Sequence, residues 1–314
     1  MTRKKEKNFK TSIGGQALLE GIMMRGPKKQ AIVVRTEDGL VDKVDDIKMV
    51  KDNYPILGLP FIRGTVNYIA TMVEGIKALT YSASFLPEEE QENPSKLDLW
   101  IEKHFSTKTA ENLIIALGVV LGLGVSVVLF FLLPTALTGL LNGVIEGRIV
   151  KNLIEGLIRI CIFILYLWLT SKVKDIKRVW QYHGAEHKTI FCYEAGLELT
   201  VENARQQSRF HPRCGTSFLF IIIIVSILVF TVVSWSNVVM RMVFRLLLLP
   251  VVVGISYELI KLAGRYDNVF TRLISAPGKA MQHLTTKEPD DEMLEVAIAA
   301  LKLVLPENEG EDAW

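Results

Sequence analysis

Four long apolar stretches, separated by polar segments, dominate the hydrophobic pattern of this sequence. They cover residues 112–133, 149–170, 215–240 and 238–257. The first and third carry no charged side chain, whereas the second contains Glu155 and Arg159 and the fourth contains Arg241 and Arg245. Stretches of this length can cross the roughly 30 Å hydrocarbon core as helices. The pattern predicts a mainly α membrane protein with about four transmembrane helices, the first ending at Pro134.

Basic residues between these stretches predict how the chain is oriented. The segment 171–214 contains eight of them: Lys172, Lys174, Lys177, Arg178, Lys188, Arg205, Arg209 and Arg213. The turns on the opposite side offer mainly Arg148 and Lys151, and the last turn carries Trp235 as an expected interfacial anchor. By the positive-inside rule, both termini and the segment 172–214 are expected in the cytoplasm.

Charged residues within the predicted spans are expected to meet one another. The topology places Glu155, Arg159, Arg241 and Arg245 in the same half of the bilayer, where ionisable groups usually face the bundle interior and pair. We expect Glu155 to pair with Arg241 or Arg245. The alternative is that each side chain extends separately to the membrane surface.

The pattern divides the chain into six parts. These are a glycine-rich turn and β-hairpin (1–52), an amphipathic helix and linker (53–110), two transmembrane helices (111–171), a cytoplasmic segment rich in His and Cys (172–214), two further transmembrane helices (215–258), and C-terminal cytoplasmic helices with an acidic tail (259–314). The expected fold is therefore a membrane bundle with a cytoplasmic α+β part.

The N-terminal part carries a glycine-rich run and a hairpin pattern. Residues 14–27 lack the lysine and spacing of a phosphate-binding loop, so a tight turn or closely packed backbone is expected. Residues 30–35 and 40–50 have strand character and are joined by a turn that ends at Gly39. This is a strong β-hairpin signal.

Two amphipathic helices are predicted outside the spans. Residues 60–86 form a helical pattern too charged for a fifth span, so the helix is expected on the cytoplasmic leaflet or packed under the bundle. Residues 290–303 form a helix with an apolar stripe that needs a partner. Residues 87–96 are expected to be an exposed linker, and the acidic tail 306–314 is expected to be loose.

Composition narrows the classes of partner. A net charge of +2 over 314 residues gives no reason to expect nucleic acid as a partner. Three widely separated cysteines argue against a disulfide framework. The basic residues 1–10 are not followed by an apolar segment, so no cleavable signal peptide is expected.

The run His183-Gly-Ala-Glu186-His187 is the strongest candidate for chemistry. Two histidines four residues apart project from one face of a helix, so both rings can reach one ion. The string matches the inverted zinc-peptidase pattern His-x-x-Glu-His, in which the glutamate is the general base. We therefore expect His183 and His187 as ligands of zinc or another divalent metal, and Glu186 as the catalytic residue.

Further ligands are expected from two other places. His211 and Cys214 lie just before the third predicted span. Glu258 ends the fourth span on the same side, and it is expected either as a further ligand or as a group that orients a ligand histidine. Three imidazoles and one thiolate would fill the four positions of a structural zinc site. If one of these positions were left to water, the site would be open for catalysis. Alternatively, the residues form a polar cluster without metal, or Cys214 is a reactive cysteine activated by a histidine.

These motifs together resemble the YqhQ family of bacterial multi-pass membrane proteins. The resemblance is carried by residues 14–27, the run 183–187, the stretch 194–205, the run 211–216 and the stretch 285–291. It implies a bacterial cell-membrane location and a suspected metal dependence. It implies no substrate, because the family contains a domain of unknown function.

Two function classes follow. The first is a metal-dependent hydrolase acting at the membrane surface on an unknown substrate. The second is a non-catalytic accessory, in which the cluster is structural and the protein binds a membrane complex such as translocation or insertion machinery. Transport is a weaker third class, because four spans with few polar groups offer little pathway.

Overall fold

The computed structural model describes residues 9–47, 54–86, 107–141, 144–232, 238–266, 268–308 and 310–314. Its strands are β1 (Gly14–Leu18), β2 (Gly21–Arg25), β3 (Lys29–Thr36) and β4 (Gly39–Asp46). Its helices are α1 (Ile62–Ala83), α2 (Thr107–Val127), α3 (Leu133–Gly139), α4 (Arg148–Thr170), α5 (Lys174–Glu194), α6 (Val201–Arg205), α7 (Gly215–Val232), α8 (Val238–Arg265), α9 (Val269–Thr285) and α10 (Asp291–Val304).

Among the residues that the structure describes, four helical segments are long and apolar enough to cross a membrane, which confirms the predicted membrane architecture. They are Leu113–Gly139, Ile149–Thr170, Gly215–Val232 and Met242–Arg265, hereafter the first to fourth spans. The third span packs against the second and fourth spans and against α9. The predicted turn around Trp235 and the linker 87–96 lie outside the described residues.

The sequence pattern predicted that the first span ends at Pro134, but the helix continues past this residue. A π-helical turn, Val128–Leu132, connects α2 to α3, and Pro134 stands in the first turn of α3. A proline is tolerated there because its missing N–H lies where the regular hydrogen-bond pattern has already been interrupted. The helix therefore continues to Gly139.

The predicted pairing of Glu155 is confirmed, with Arg245 as its partner from the fourth span. The Arg245 guanidinium bonds both carboxylate oxygens, and Arg159 donates to the same carboxylate at 3.2 Å. Arg159 also donates to the Phe130 carbonyl in the π-helical turn at 2.8 Å. Glu155 is 2% exposed, so the network is buried between spans rather than extended to the surface.

The N-terminal part is a four-stranded antiparallel sheet in the order β1-β2-β3-β4. The predicted hairpin is β3–β4, whose turn contains Gly39 at a φ of 122°. The glycine-rich run was expected to be a turn or packed backbone, but it supplies strands β1 and β2. At Gly21 the glycine serves the packing of these strands, because a Cβ there would lie 2.6 Å from the Val33 carbonyl of the neighbouring strand.

The sheet, α5 and α10 form a polar domain beside the bundle. The predicted apolar stripe of α10 is buried against β2, β3 and α5, with Met293, Leu294, Ala297, Ile298 and Leu301 in its core. The other face of the sheet receives Ala78 near the end of α1. The beginning of α1 packs instead against α8.

The acidic tail is docked, contrary to the expectation that it is loose. The Asp312 carboxylate accepts hydrogen bonds from the Thr11 hydroxyl at 2.7 Å and the Tyr193 hydroxyl at 2.9 Å. The backbone N–H of Trp314 donates to the Lys10 carbonyl at 3.0 Å. These buried polar partners hold the end of the described chain against the polar domain.

Replacing Glu155 by Gln should destabilise the bundle. Removing one member of a buried ionic network costs about 3–5 kcal/mol, and here two arginines would lose their counterion. We expect a lower unfolding temperature in detergent, with Glu146→Gln, at an exposed position before the second span, as the matched control. Equal unfolding temperatures for the two variants would show that the network contributes little.

Candidate metal site

Helix α5 brings three of the predicted site residues together. His183 and His187 lie one turn apart, with ring centroids separated by 4.4 Å. Glu186 and His187 are buried, at 5% and 1% exposure, because this part of α5 is enclosed by the sheet, α10 and the chain before the third span. The helical spacing predicted from the sequence is therefore present.

Cys214 completes the cluster from the other side. Its Sγ lies 3.2 Å from Nε2 of His183. Among the described residues, His183, His187 and Cys214 each offer one donor atom, and these three atoms all lie within 4.8 Å of one another. Two imidazole nitrogens and a sulfur are a donor set that zinc binds well.

The outer nitrogens of both histidine rings are held by backbone carbonyls. Nδ1 of His183 lies 2.8 Å from the Thr285 carbonyl, and Nδ1 of His187 lies 2.5 Å from the Arg209 carbonyl. A carbonyl can only accept, so each Nδ1 carries the proton. In a neutral ring, Nε2 then has a free lone pair, which for His183 points at Cys214. Metal-binding histidines typically have this arrangement.

The chain before the third span is positioned by Gln282 of α9. The Gln282 side chain accepts from the His211 backbone N–H at 2.8 Å and donates to the His211 carbonyl at 2.7 Å. It also donates to the Ser217 hydroxyl at 3.1 Å. Because Gln282 is fully buried, these bonds fix the turn that delivers Cys214.

The surroundings of the site shift the pKa values of three of its side chains. Burial lowers the pKa of His187, although the neighbouring Cys214 opposes the fall. Burial would raise the pKa of the Cys214 thiol, but His187 and hydrogen bonds from Thr216 outweigh it, so this pKa lies below its ordinary value. Burial raises the pKa of Glu186 to about 7, although nearby His183 and the Gly15 N–H oppose the rise.

Two glycines allow the surrounding backbone to reach the site. The Gly15 N–H of β1 donates to the Glu186 carboxylate at 2.9 Å, and a Cβ on Gly15 would lie 3.1 Å from its Cδ. A Cβ on Gly184 would lie 2.1 Å from the Lys287 carbonyl. Gly184 therefore lets the chain after α9 pack against α5, where Thr285 holds His183.

His211 and Glu258 have other partners. The His211 ring lies beside the Glu194 carboxylate, 3.8 Å away, and Glu194 is also paired with Arg213. Glu258 accepts two hydrogen bonds from Arg63 at 2.8 and 2.6 Å. The expectation that Glu258 joins the cluster is therefore corrected, since its carboxylate is taken up by Arg63.

A cavity of about 420 Å³ borders the cluster. Its walls include the three cluster residues and Glu186, together with β1, Thr71 of α1, and Gly215 and Thr216 at the start of the third span. The Trp314 side chain also lines it. The cluster is thus next to a space large enough for part of a small molecule.

Several positioning groups had no distinct signal in the sequence. Thr285 and Arg209 contribute backbone carbonyls, which any residue carries. Gln282 is one polar residue in a helix, and only its burial shows its role. Gly15 lies in the glycine-rich run, but its partner Glu186 is 171 residues away.

Comparison with known proteins identifies relatives whose function is unknown. A family model described as a protein of unknown function, DUF1385, matches residues 59–307. An uncharacterised protein YqhQ of Bacillus subtilis (strain 168) is 36% identical over 299 residues, which are 93% of this chain and 92% of that protein. No solved structure has significant similarity to the chain.

The pKa values of two buried cysteines lead to a prediction for the metal-free protein. Cys214 has a lowered pKa, whereas burial raises that of Cys192 to about 11. Because the thiolate is the reactive form, iodoacetamide at pH 7 should modify Cys214 at least about tenfold faster than Cys192. Peptide mass spectrometry over time measures both rates. His187→Gln should slow only Cys214, and faster modification of Cys192 would contradict the assignment.

Proposed function

Because the chain belongs to the DUF1385 family of proteins of unknown function, we propose a function from the site itself. The protein is a multi-pass membrane protein that binds zinc or a similar divalent metal at His183, His187 and Cys214. It hydrolyses a substrate at the membrane surface, with Glu186 as the group that moves the proton. The location is the bacterial cell membrane, with the polar domain in the cytoplasm.

The observation that carries this proposal is the orientation of the two imidazoles. With both Nδ1 atoms hydrogen-bonded to carbonyls, each neutral ring offers Nε2 as its remaining donor atom. The Cys214 thiol, with its lowered pKa, supplies a sulfur at the same place. The single S–H of a neutral Cys214 thiol can donate to only one of the two Nε2 atoms, whereas a metal can be bound by both nitrogens and the sulfur.

The number of donors supports catalysis over a closed structural site. Catalytic zinc sites use three protein ligands and leave one position open, whereas structural sites use four. His211 is engaged with Glu194, so the described residues offer three close donors next to a cavity. When bound there, the metal would supply Lewis-acid activation of water.

Glu186 has the properties required of a general base. It lines the cavity beside the cluster, and a hydrogen bond from Gly15 holds its carboxylate in place. Its pKa of about 7 lies near the pH at which the protein would work, which favours transfer of a proton in either direction.

The position of the cavity supports a substrate that approaches along the membrane surface. Cys214 immediately precedes the third span, whose first residues Gly215 and Thr216 line the cavity. A substrate bound there would lie at the junction of the bundle and the polar domain. The lipid bilayer is therefore the partner on which the proposal depends.

A non-catalytic role is the second candidate. The cluster joins chain segments that are far apart: α5, the turn before the third span, and the backbone at Thr285. A metal bound there would hold the polar domain against the bundle. In that case the protein would be an accessory of a membrane complex, such as translocation or insertion machinery.

Metal analysis of protein purified without a histidine tag tests the proposal. We expect about one equivalent of metal in the intact protein, and loss of most of it in His187→Ala and Cys214→Ala, because each removes one of three ligands. His283→Ala and Cys192→Ala are matched controls outside the cluster and should retain the metal. No metal in the intact protein would refute the site.

Glu186→Gln separates the two roles. It should retain the metal and the unfolding temperature but lose hydrolysis of a panel of ester, amide and phosphate substrates presented in vesicles. If His187→Ala instead unfolds at a much lower temperature and the intact, metal-loaded protein hydrolyses none of these substrates, the structural role is favoured.

A further inference from the structure

An apolar segment before the first span remains exposed on the folded chain. It comprises a 3-10 turn, Pro55–Gly58, and the beginning of α1. Its exposed side chains are Tyr54 (64%), Ile56 (70%), Leu59 (51%), Phe61 (56%) and Ile62 (42%). No charged residue occurs from Tyr54 to Ile62. An apolar patch of this size on a protein surface marks an interaction site.

This segment packs against the middle of the fourth span rather than against its end. The Thr65 hydroxyl donates to the Pro250 carbonyl at 2.8 Å, and Gly64 lies against Gly254. The helix leaves the polar domain at Lys261, whose carbonyl accepts from the Trp314 indole. With a rise of 1.5 Å per residue, Gly254 and Pro250 are about 10 and 16 Å further along the helix. The contact points are therefore inside the span Met242–Arg265 rather than at its end.

Small residues allow the two helices to approach closely. A Cβ on Gly64 would lie 2.6 Å from Cβ of Tyr257, and a Cβ on Gly254 would lie 2.4 Å from the Phe61 carbonyl. Close crossings of this kind are typical of helices packed within membranes, where small residues at the interface replace the hydrophobic driving force.

Polar groups at this depth are satisfied by partners in the fourth span. Arg63 forms its two hydrogen bonds with Glu258, and the Asn67 amide donates to the Tyr257 hydroxyl at 3.1 Å. Glu258 also accepts from the Phe61 N–H at 3.4 Å, which helps to hold Phe61 at an unusual φ of 68°. Charges inside a bilayer usually pair in this way.

The elements on both sides of this segment belong to or contact the same sheet. Strand β4, which precedes the segment, belongs to the sheet, and the end of α1 returns to that sheet through Ala78. Near the same end, Gly75 packs against Gln16 of β1. A membrane position for this segment would therefore require it to enter and return on the same side.

We propose that residues 54–68 form a re-entrant element whose apolar face contacts the hydrocarbon core of the bilayer. Lipid is the occupant because the patch adjoins the exposed apolar surface of the fourth span, including Leu247 (66%) and Val251 (49%). The α1 residue Thr71, just beyond the element, lines the cavity of the metal site. The element does not depend on the proposed hydrolase activity.

Site-directed labelling of purified protein in liposomes tests this element. Leu59→Cys and the matched control Leu40→Cys, at 51% and 44% exposure, are each introduced with Cys161→Ser, and peptide mass spectrometry separates labelling at residues 59 and 40 from labelling at Cys214. A charged, water-soluble maleimide should label residue 59 at least about tenfold more slowly than residue 40, because hydrocarbon excludes both reagent and thiolate. Labelling in SDS gives the total amount of reactive thiol for each variant. Labelling of residue 40 in liposomes gives the fraction of molecules whose sheet faces outward, where the reagent can reach it.

Two outcomes decide the proposal. Slow labelling at residue 59, with a spin label there more accessible to oxygen than to a nickel complex, supports insertion into lipid. Equal labelling of residues 59 and 40 overturns it, because the liposomes contain no other protein that could leave the patch uncovered by lipid. The patch would then be a surface for a protein partner. Ile56→Cys, at 70% exposure, replaces Leu59→Cys if that variant does not fold.

Discussion

The buried amide of Gln282 is the contact on which the junction between the polar domain and the bundle depends. It bonds both the N–H and the carbonyl of His211, and it also reaches Ser217 at the start of the third span. One side chain of α9 thus fixes the turn that carries Cys214. Because Thr285 of the same helix holds His183, the positions of His183 and Cys214 relative to each other depend on where α9 lies.

Burial in this region comes from elements distant in sequence. Strand β1 provides the Gly15 N–H to Glu186, and the docked residue Trp314 lines the same cavity. The cation of Arg213 lies over the Trp314 ring, 5.2 Å from its centroid, and also pairs with Glu194. The low-dielectric surroundings that shift the pKa of Glu186 are therefore built from both ends of the described chain.

Much of the fold could be predicted from local patterns. Uncharged runs long enough for a bilayer mark the spans, and the apolar stripe of α10 marks a buried face, since both signals lie within one helix. The strand character of the glycine-rich run and the docking of Asp312 were missed, because each depends on partners far away in the sequence. Within the site, the spacing of His183 and His187 predicted their proximity. The pairing of His211 with Glu194 and of Glu258 with Arg63 carries no such signal, and the His211 ring still lies 5.5 Å from the ring of His187.

The one-turn spacing of Glu155 and Arg159 has a consequence for how the bundle is made. Their ion pair lies within a single helix, so the second span already carries a counterion for its own cation when it leaves the ribosome. Arg245 is synthesised 90 residues later and joins a carboxylate that is already in the bilayer. The second span therefore contains a paired cation by itself, whereas the contact that closes the bundle around this carboxylate needs the fourth span.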